Sequence, residues 1–199
     1  MKRLDRVLGG VARAGAIVGG AMLLVAALTI CVDIFLRYAF ALTVGGADDL
    51  SGYALAIASA WEFSAALLSR SHIRIDTVYV RVRSPRVRAA LDVLSLVAFL
   101  LFGALVTWHA WGVFSLSYSS GSRSQSAIEA PLAIPQGLWF AGLAFFVAVA
   151  ALLLARALRA YAKGDLRYLF ATIGSKSAVA EAQEEVVAVE RALETEHRE

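Results

Sequence analysis

One glutamate, Glu62, falls inside an otherwise apolar stretch of this chain. A carboxylate there could carry a proton or an ion along a transport path, accept hydrogen bonds, or meet a partner. At the centre of a bilayer such a group costs about 2.5 kcal/mol or more, so it normally faces protein rather than lipid. On a helix, Glu62 shares a face with Ala54, Ala58, Ala65 and Ser69, a stripe of small residues that reads as a contact face toward another helix. Asp33 and Arg37 stand four residues apart, the spacing of a local ion pair. His109 lies between Trp108 and Trp111. A haem there would need a second axial ligand, and the other histidines, His72 and His197, fall outside the apolar stretches, so no haem site is expected. The single cysteine, Cys31, can form neither a disulfide framework nor a cysteine metal site within one chain and reads as a small packing residue. No catalytic, cofactor or metal site is expected.

The elements that must position these groups follow from the distribution of charge. No Asp, Glu, Lys or Arg occurs in 14–32, 50–61, 93–122 or 130–155. A bilayer-spanning helix needs about 20 mostly apolar residues. Three of the stretches meet that directly, and the second does so if Glu62 is admitted and the helix continues to Ser69. The chain is 59% hydrophobic with a mean hydropathy of +0.68, above the ~45–50% of globular chains. The expected fold is an all-α membrane protein with four transmembrane helices, at about 15–36, 50–69, 90–114 and 136–158. The first is too long for a cleavable signal peptide and is followed by Asp33, Arg37 and Tyr38 rather than a small-residue cleavage site. Residues 1–168 form the membrane domain, and 169–199 an acidic cytoplasmic tail, marginally helical or disordered, in which a short C-terminal helix is expected.

Orientation follows from the positive-inside rule. Lys2, Arg3, Arg6 and Arg13 precede the first span, six arginines lie between Arg70 and Arg88, and Arg156, Arg159, Lys163 and Arg167 follow the fourth. The two remaining connections carry one arginine each, Arg37 and Arg123, together with Asp48, Asp49 and Glu129. Both termini are therefore expected in the cytoplasm. The net charge of +3 reflects topology and anionic lipid, not a nucleic-acid surface. Trp139 and Tyr118 near the outer boundary, with Tyr161 and Tyr168 near the inner one, read as interfacial anchors. Pro131 and Pro135 bracket a short apolar segment expected to position the fourth span.

An ordered series of features now resembles the small membrane subunit, DctQ-like, of tripartite ATP-independent periplasmic (TRAP) transporters. Arg37 closes the first span, Asp48-Asp49-Leu50 opens the second, His72-Ile73-Arg74-Ile75-Asp76 follows it, and Ser126, Pro131 and Pro135 precede the fourth. The resemblance covers about residues 5–165, and the His-x-Arg-x-Asp element is its most specific part. Two departures concern local contacts: Asp48-Asp49 where the family usually has Glu after Trp, and Trp61-Glu62-Phe63 where a small Gly-containing stretch is common. The resemblance implies a secondary transporter of the bacterial or archaeal inner membrane. In it a periplasmic binding protein docks transiently and delivers an organic acid to a large membrane subunit, which the small subunit scaffolds without a substrate site of its own. His72, Arg74 and Asp76 are expected to fix the inner-face loop or dock the large subunit, or else to form an ordinary charged interfacial loop. Asp48 and Asp49 are the outer-face candidates, or else solvated charges favoured by a helix N-terminus. The competing readings are a haem- or quinone-binding membrane anchor of an oxidoreductase and a self-contained homo-oligomeric small transporter.

Overall fold

Long runs of Ala, Leu, Val and Phe satisfy their backbone groups internally as helices, and the breaks fall at glycines and prolines. The computed structural model describes residues 2–70, 82 and 84–174. The helices are α1 (Lys2–Phe40), α2 (Ala47–Ser69), α3 (Pro85–Ser120), α4 (Ala133–Ala162) and α5 (Leu166–Ile173). His72, Arg74 and Asp76, and the tail beyond Gly174, lie outside the described residues.

Helices α1, α3 and α4 are long and apolar enough to cross a membrane. Helix α2 is not among them, because Glu62 and the serines at 51, 59 and 64 dilute its apolar residues. Its 23 residues nonetheless measure about 35 Å at 1.5 Å per residue. All four long helices exceed the expected spans at both ends or one. Helix α1, for example, runs back to Lys2, since the Lys, Arg, Leu and Ala residues of this stretch are good helix formers and outweigh the cost of Gly9 and Gly10.

The long helices pack as a row in the order α1, α2, α4, α3, with α5 folded against α3 and α4. Helices α1 and α2 run antiparallel, since Gly15 faces Trp61 while Gly19 faces Ala58, and so do α3 and α4, since Gly103 faces Phe146 while Gly137 faces Phe114. The middle pair, α2 and α4, runs parallel, with Trp61 against Gly142 and Phe63 against Phe146. On α1 the buried residues are Ala12, Gly19, Ala26 and Asp33, a strict seven-residue step that keeps one seam on α2 as in a left-handed coiled coil. The first three are small, and the backbones meet where a Cβ on Gly19 would stand 2.9 Å from the Cα of Ala58. Between α3 and α4, Phe114 and Phe140 stack with centroids 6.1 Å apart.

The main core lies toward the end of the row that holds the start of α1. There Leu67 of α2, Ala89 and Leu96 of α3, and Val149, Leu153 and Ala157 of α4 enclose Leu169 and Ile173 of α5. The α5 helix was not foreseen as such. The Asp165 side chain caps it by accepting a hydrogen bond from the Tyr168 amide at 3.0 Å. Its Leu166, Leu169, Phe170 and Ile173 follow the 3, 4, 7 spacing of one helical face, and that pattern after a capping Asp was the available signal.

Candidate interaction surfaces

At the end of the row opposite the start of α1, the α1–α2 connection is organised by one carboxylate. Asp33 is 3% exposed. Its Oδ1 accepts hydrogen bonds from the Val44 amide at 2.7 Å and the Thr43 hydroxyl at 2.9 Å, and its Oδ2 pairs with the Arg37 guanidinium at 2.5 Å. The expected i, i+4 pair is therefore present, but it serves a tertiary purpose. Asp33 draws the chain leaving α1 back onto the helix and directs it into α2, and Arg37, half exposed, closes the carboxylate's other side.

The turn into α2 is made by Gly45 and Gly46, both with positive φ, a region glycine enters at no steric cost. The loop between α3 and α4 covers this turn. A Cβ on Gly46 would overlap the Ile128 side chain, and one on Gly45 would come within 3.0 Å of Ala127. That loop is a small hairpin held by the Ser124 amide donating to Ala130 at 2.9 Å and the Leu132 amide donating to Ser122 at 3.0 Å. Pro131 pairs with Arg123 across it, and α4 starts two residues later at Ala133.

The adjacent acids Asp48 and Asp49 have separate fates. Asp49, in the first turn of α2, faces the hairpin. The Ser126 hydroxyl most strongly, then that of Ser124, and more weakly that of Tyr53, hold its carboxyl below the ordinary value against the opposing pull of desolvation. Its Oδ2 is nonetheless buried without a hydrogen bond of its own, so the hydroxyls act as nearby dipoles rather than as ideal donors to that atom. A carboxyl with a lowered folded-state pKa stabilises the fold above its unfolded pKa, and the effect fades as pH falls through the folded value. The thermal midpoint in detergent is therefore expected to be level between about pH 8 and pH 5 and to drop below about pH 4. Asp49→Asn should blunt the drop, and an identical acid profile in that variant would remove Asp49 from this role. Asp48 is exposed, and its backbone carbonyl accepts the Ser51 hydroxyl at 2.7 Å.

Glu62 is exposed and does not point into the bundle. It lines a cleft of about 560 Å³ between α1 and α2 with Gly9, Ala12, Arg13, Ala65 and Ser69. The small-residue stripe is thereby divided: Ala54 and Ala58 are buried in the row, while Ala65 and Ser69 line the open cleft. Arg13, last of the basic residues before the apolar run, brings a cation to the same cleft, so Glu62 is placed near the charged start of α1 rather than at its apolar middle.

Next to Glu62, Trp61 points the other way. Its ring fills the space left by Gly15 of α1 and Gly142 of α4, stacks on Phe145 with centroids 5.8 Å apart, and donates Nε1–H to the Leu138 carbonyl at 3.1 Å. Sequence reading marked Trp61 only as a departure from a small-residue pattern. The two distant glycines that admit it were the missing signal.

At the end of the row that holds the start of α1, Arg156 of α4 reaches Asp5 of α1 at 2.5 Å, and the Arg70 guanidinium donates to the Phe170 carbonyl at 3.4 Å. Asp92 of α3 is fully buried beside the core. Neither Asp5–Arg156 nor the burial of Asp92 was foreseen; Asp5 and Arg156 lie too far apart in the chain for any periodicity to pair them. His109 faces outward on α3.

The family described as tripartite ATP-independent periplasmic transporters, DctQ component, matches residues 10–160. No characterised protein sequence and no solved structure matches the chain at a significant level.

Proposed function

Because this chain belongs to the DctQ family of tripartite ATP-independent periplasmic transporter components, a family of transporter subunits rather than enzymes, we propose that it is the small permease subunit that scaffolds a large membrane subunit. The large subunit then takes up an organic acid, delivered by a periplasmic binding protein, at the expense of an ion gradient. In this reading α2 is a fourth span and the protein is multi-pass in the inner membrane. Both termini and the Arg70–Arg88 segment are cytoplasmic, in keeping with their excess of Lys and Arg. The observation that carries the scaffold role is the row itself. Helices in a line present two broad faces to partners and lipid, and only 11% of the apolar window of α1 is buried.

The cleft holding Arg13 and Glu62 is the proposed seat for the large subunit. A carboxylate and a guanidinium at the margin of an apolar face favour a helix that offers them polar groups. His72, Arg74 and Asp76, on the same side of the membrane in this topology, are proposed to contribute to that contact. Asp48, exposed at the loop end, is proposed to meet the binding protein.

The test is affinity purification of the tagged chain from its native membrane in mild detergent. A large polytopic protein should accompany it near one to one, and Glu62→Gln or Asp76→Ala should reduce that recovery several-fold while the chain's own yield is kept. Gradient-driven uptake by the chain alone in liposomes would overturn the scaffold reading.

A further inference from the structure

Where α4 gives way to α5, a second pocket of about 300 Å³ is lined by Arg156, Arg159, Ala160, Lys163, Asp165 and Tyr168. Three cations reach it, Arg156 and Arg159 from α4 and Lys163 from the residue that follows its last turn, and they differ in what already occupies them. Arg156 is only 12% exposed in its side chain and committed to Asp5. Asp165 is committed to the Tyr168 amide that begins α5. Arg159 and Lys163 are exposed, and their side chains make no hydrogen bond or ion pair among the described residues. Counting Asp5 with the pocket, three positive and two negative groups leave an excess of one positive charge.

The surroundings indicate the depth of the pocket. Tyr161 and Tyr168 are both partly exposed at this level, where amphipathic aromatic rings favour the headgroup region, and the apolar body of α4 ends just before Arg156. A cationic recess at that depth is suited to the phosphate of an anionic lipid. We propose that Arg159 and Lys163 bind the phosphodiester of an anionic phospholipid headgroup, with the Tyr168 hydroxyl as an additional donor and Arg156, held by Asp5, as the fixed wall behind it. The forked guanidinium of Arg159 can meet two phosphate oxygens at once, and the Lys163 ammonium adds a point charge. The α4–α5 elbow is thereby clamped at the membrane surface. This assignment goes beyond the transporter role and does not depend on it.

The experiment uses the full chain in nanodiscs, with thermal unfolding and native mass spectrometry as readouts. Dioleoylphosphatidylglycerol should raise the midpoint over phosphatidylcholine and remain bound as an adduct. The Arg159→Gln/Lys163→Gln variant should retain that lipid about 30-fold less tightly, the effect of two lost cations at the surface. Arg123→Gln, at the opposite end, should retain it as the unaltered chain does. Equal stabilisation by both lipids, or an undiminished adduct in the double variant, would overturn the site. If the double variant fails to fold, the comparison of the two lipids on the unaltered chain decides. Inorganic phosphate at millimolar concentration in phosphatidylcholine discs should do nothing, and a shift equal to that of the lipid would overturn the lipid assignment in favour of a soluble phosphate.

Discussion

Replacing Trp61 by Ala is expected to separate α1 and α4 from α2 and to lower stability by about 2 kcal/mol, or roughly 30-fold in the folded population. In a water-soluble core a Trp→Ala change costs about 3–5 kcal/mol. Part of that is transfer of apolar surface from water, which is largely missing where lipid lies outside the helices. What remains here is packing. The indole fills the gap between Gly15 and Gly142, stacks on Phe145 and satisfies the Leu138 carbonyl. Gly15 and Gly142, which face the indole, have no side chains to move into the space. Trp61→Phe keeps most of the ring and loses the hydrogen bond, so it should cost about 1 kcal/mol. Thermal unfolding of the three proteins in one detergent checks the order. Equal midpoints for Ala and Phe would mean the ring packs nothing of consequence.

Gly19→Val is expected to disrupt the α1–α2 seam, whereas Gly20→Val, one residue along the same helix, is expected to be tolerated. The contrast rests on what each new Cβ meets. At position 19 it would stand 2.9 Å from the Cα and 3.0 Å from the Cβ of Ala58. The obstacle is backbone rather than the tip of a flexible side chain, and it gives way only if the helices move apart. At position 20 nothing lies within 4 Å. Overpacking of this kind costs about 1–3 kcal/mol. Because the seam is a seven-residue repeat of small residues, separation at Gly19 should propagate to Ala12 and Ala26. A cysteine pair placed across α1 and α2 should cross-link in the Gly20 variant and fail in the Gly19 variant. Efficient cross-linking in both would contradict the close approach.

Much of the architecture is legible in the chain without its fold. Helix formation depends on residues within one or two turns of each other, so apolar content, charge-free length and the prolines at 85, 131 and 135 announce three helices that can span a membrane and the joints between them. The Asp33–Arg37 pair is local in the same sense, and so, after the event, is the α5 pattern that follows Asp165. The family too was legible, from an ordered series of short elements spread across residues now matched to it. Helix α2 is the intermediate case: its length suits a span, while Glu62 and its serines leave it less apolar than its neighbours.

What only the tertiary structure decided is which way each polar group faces and what it meets. Two adjacent carboxylates, Asp48 and Asp49, have the same local sequence, yet one is exposed and the other faces the Ser124 and Ser126 hydroxyls of a distant loop. Glu62 and Trp61 are neighbours in the chain, and the fold sends one to an open cleft with Arg13 and the other between two glycines on different helices. Asp5 and Arg156 meet across 151 residues. The physical reason is common to all of them. Local periodicity sets the faces of a helix, but the rotation of that helix about its axis is set by where backbones can approach, and here Gly15, Gly19, Gly103 and Gly142 make those approaches possible only once the helices are side by side.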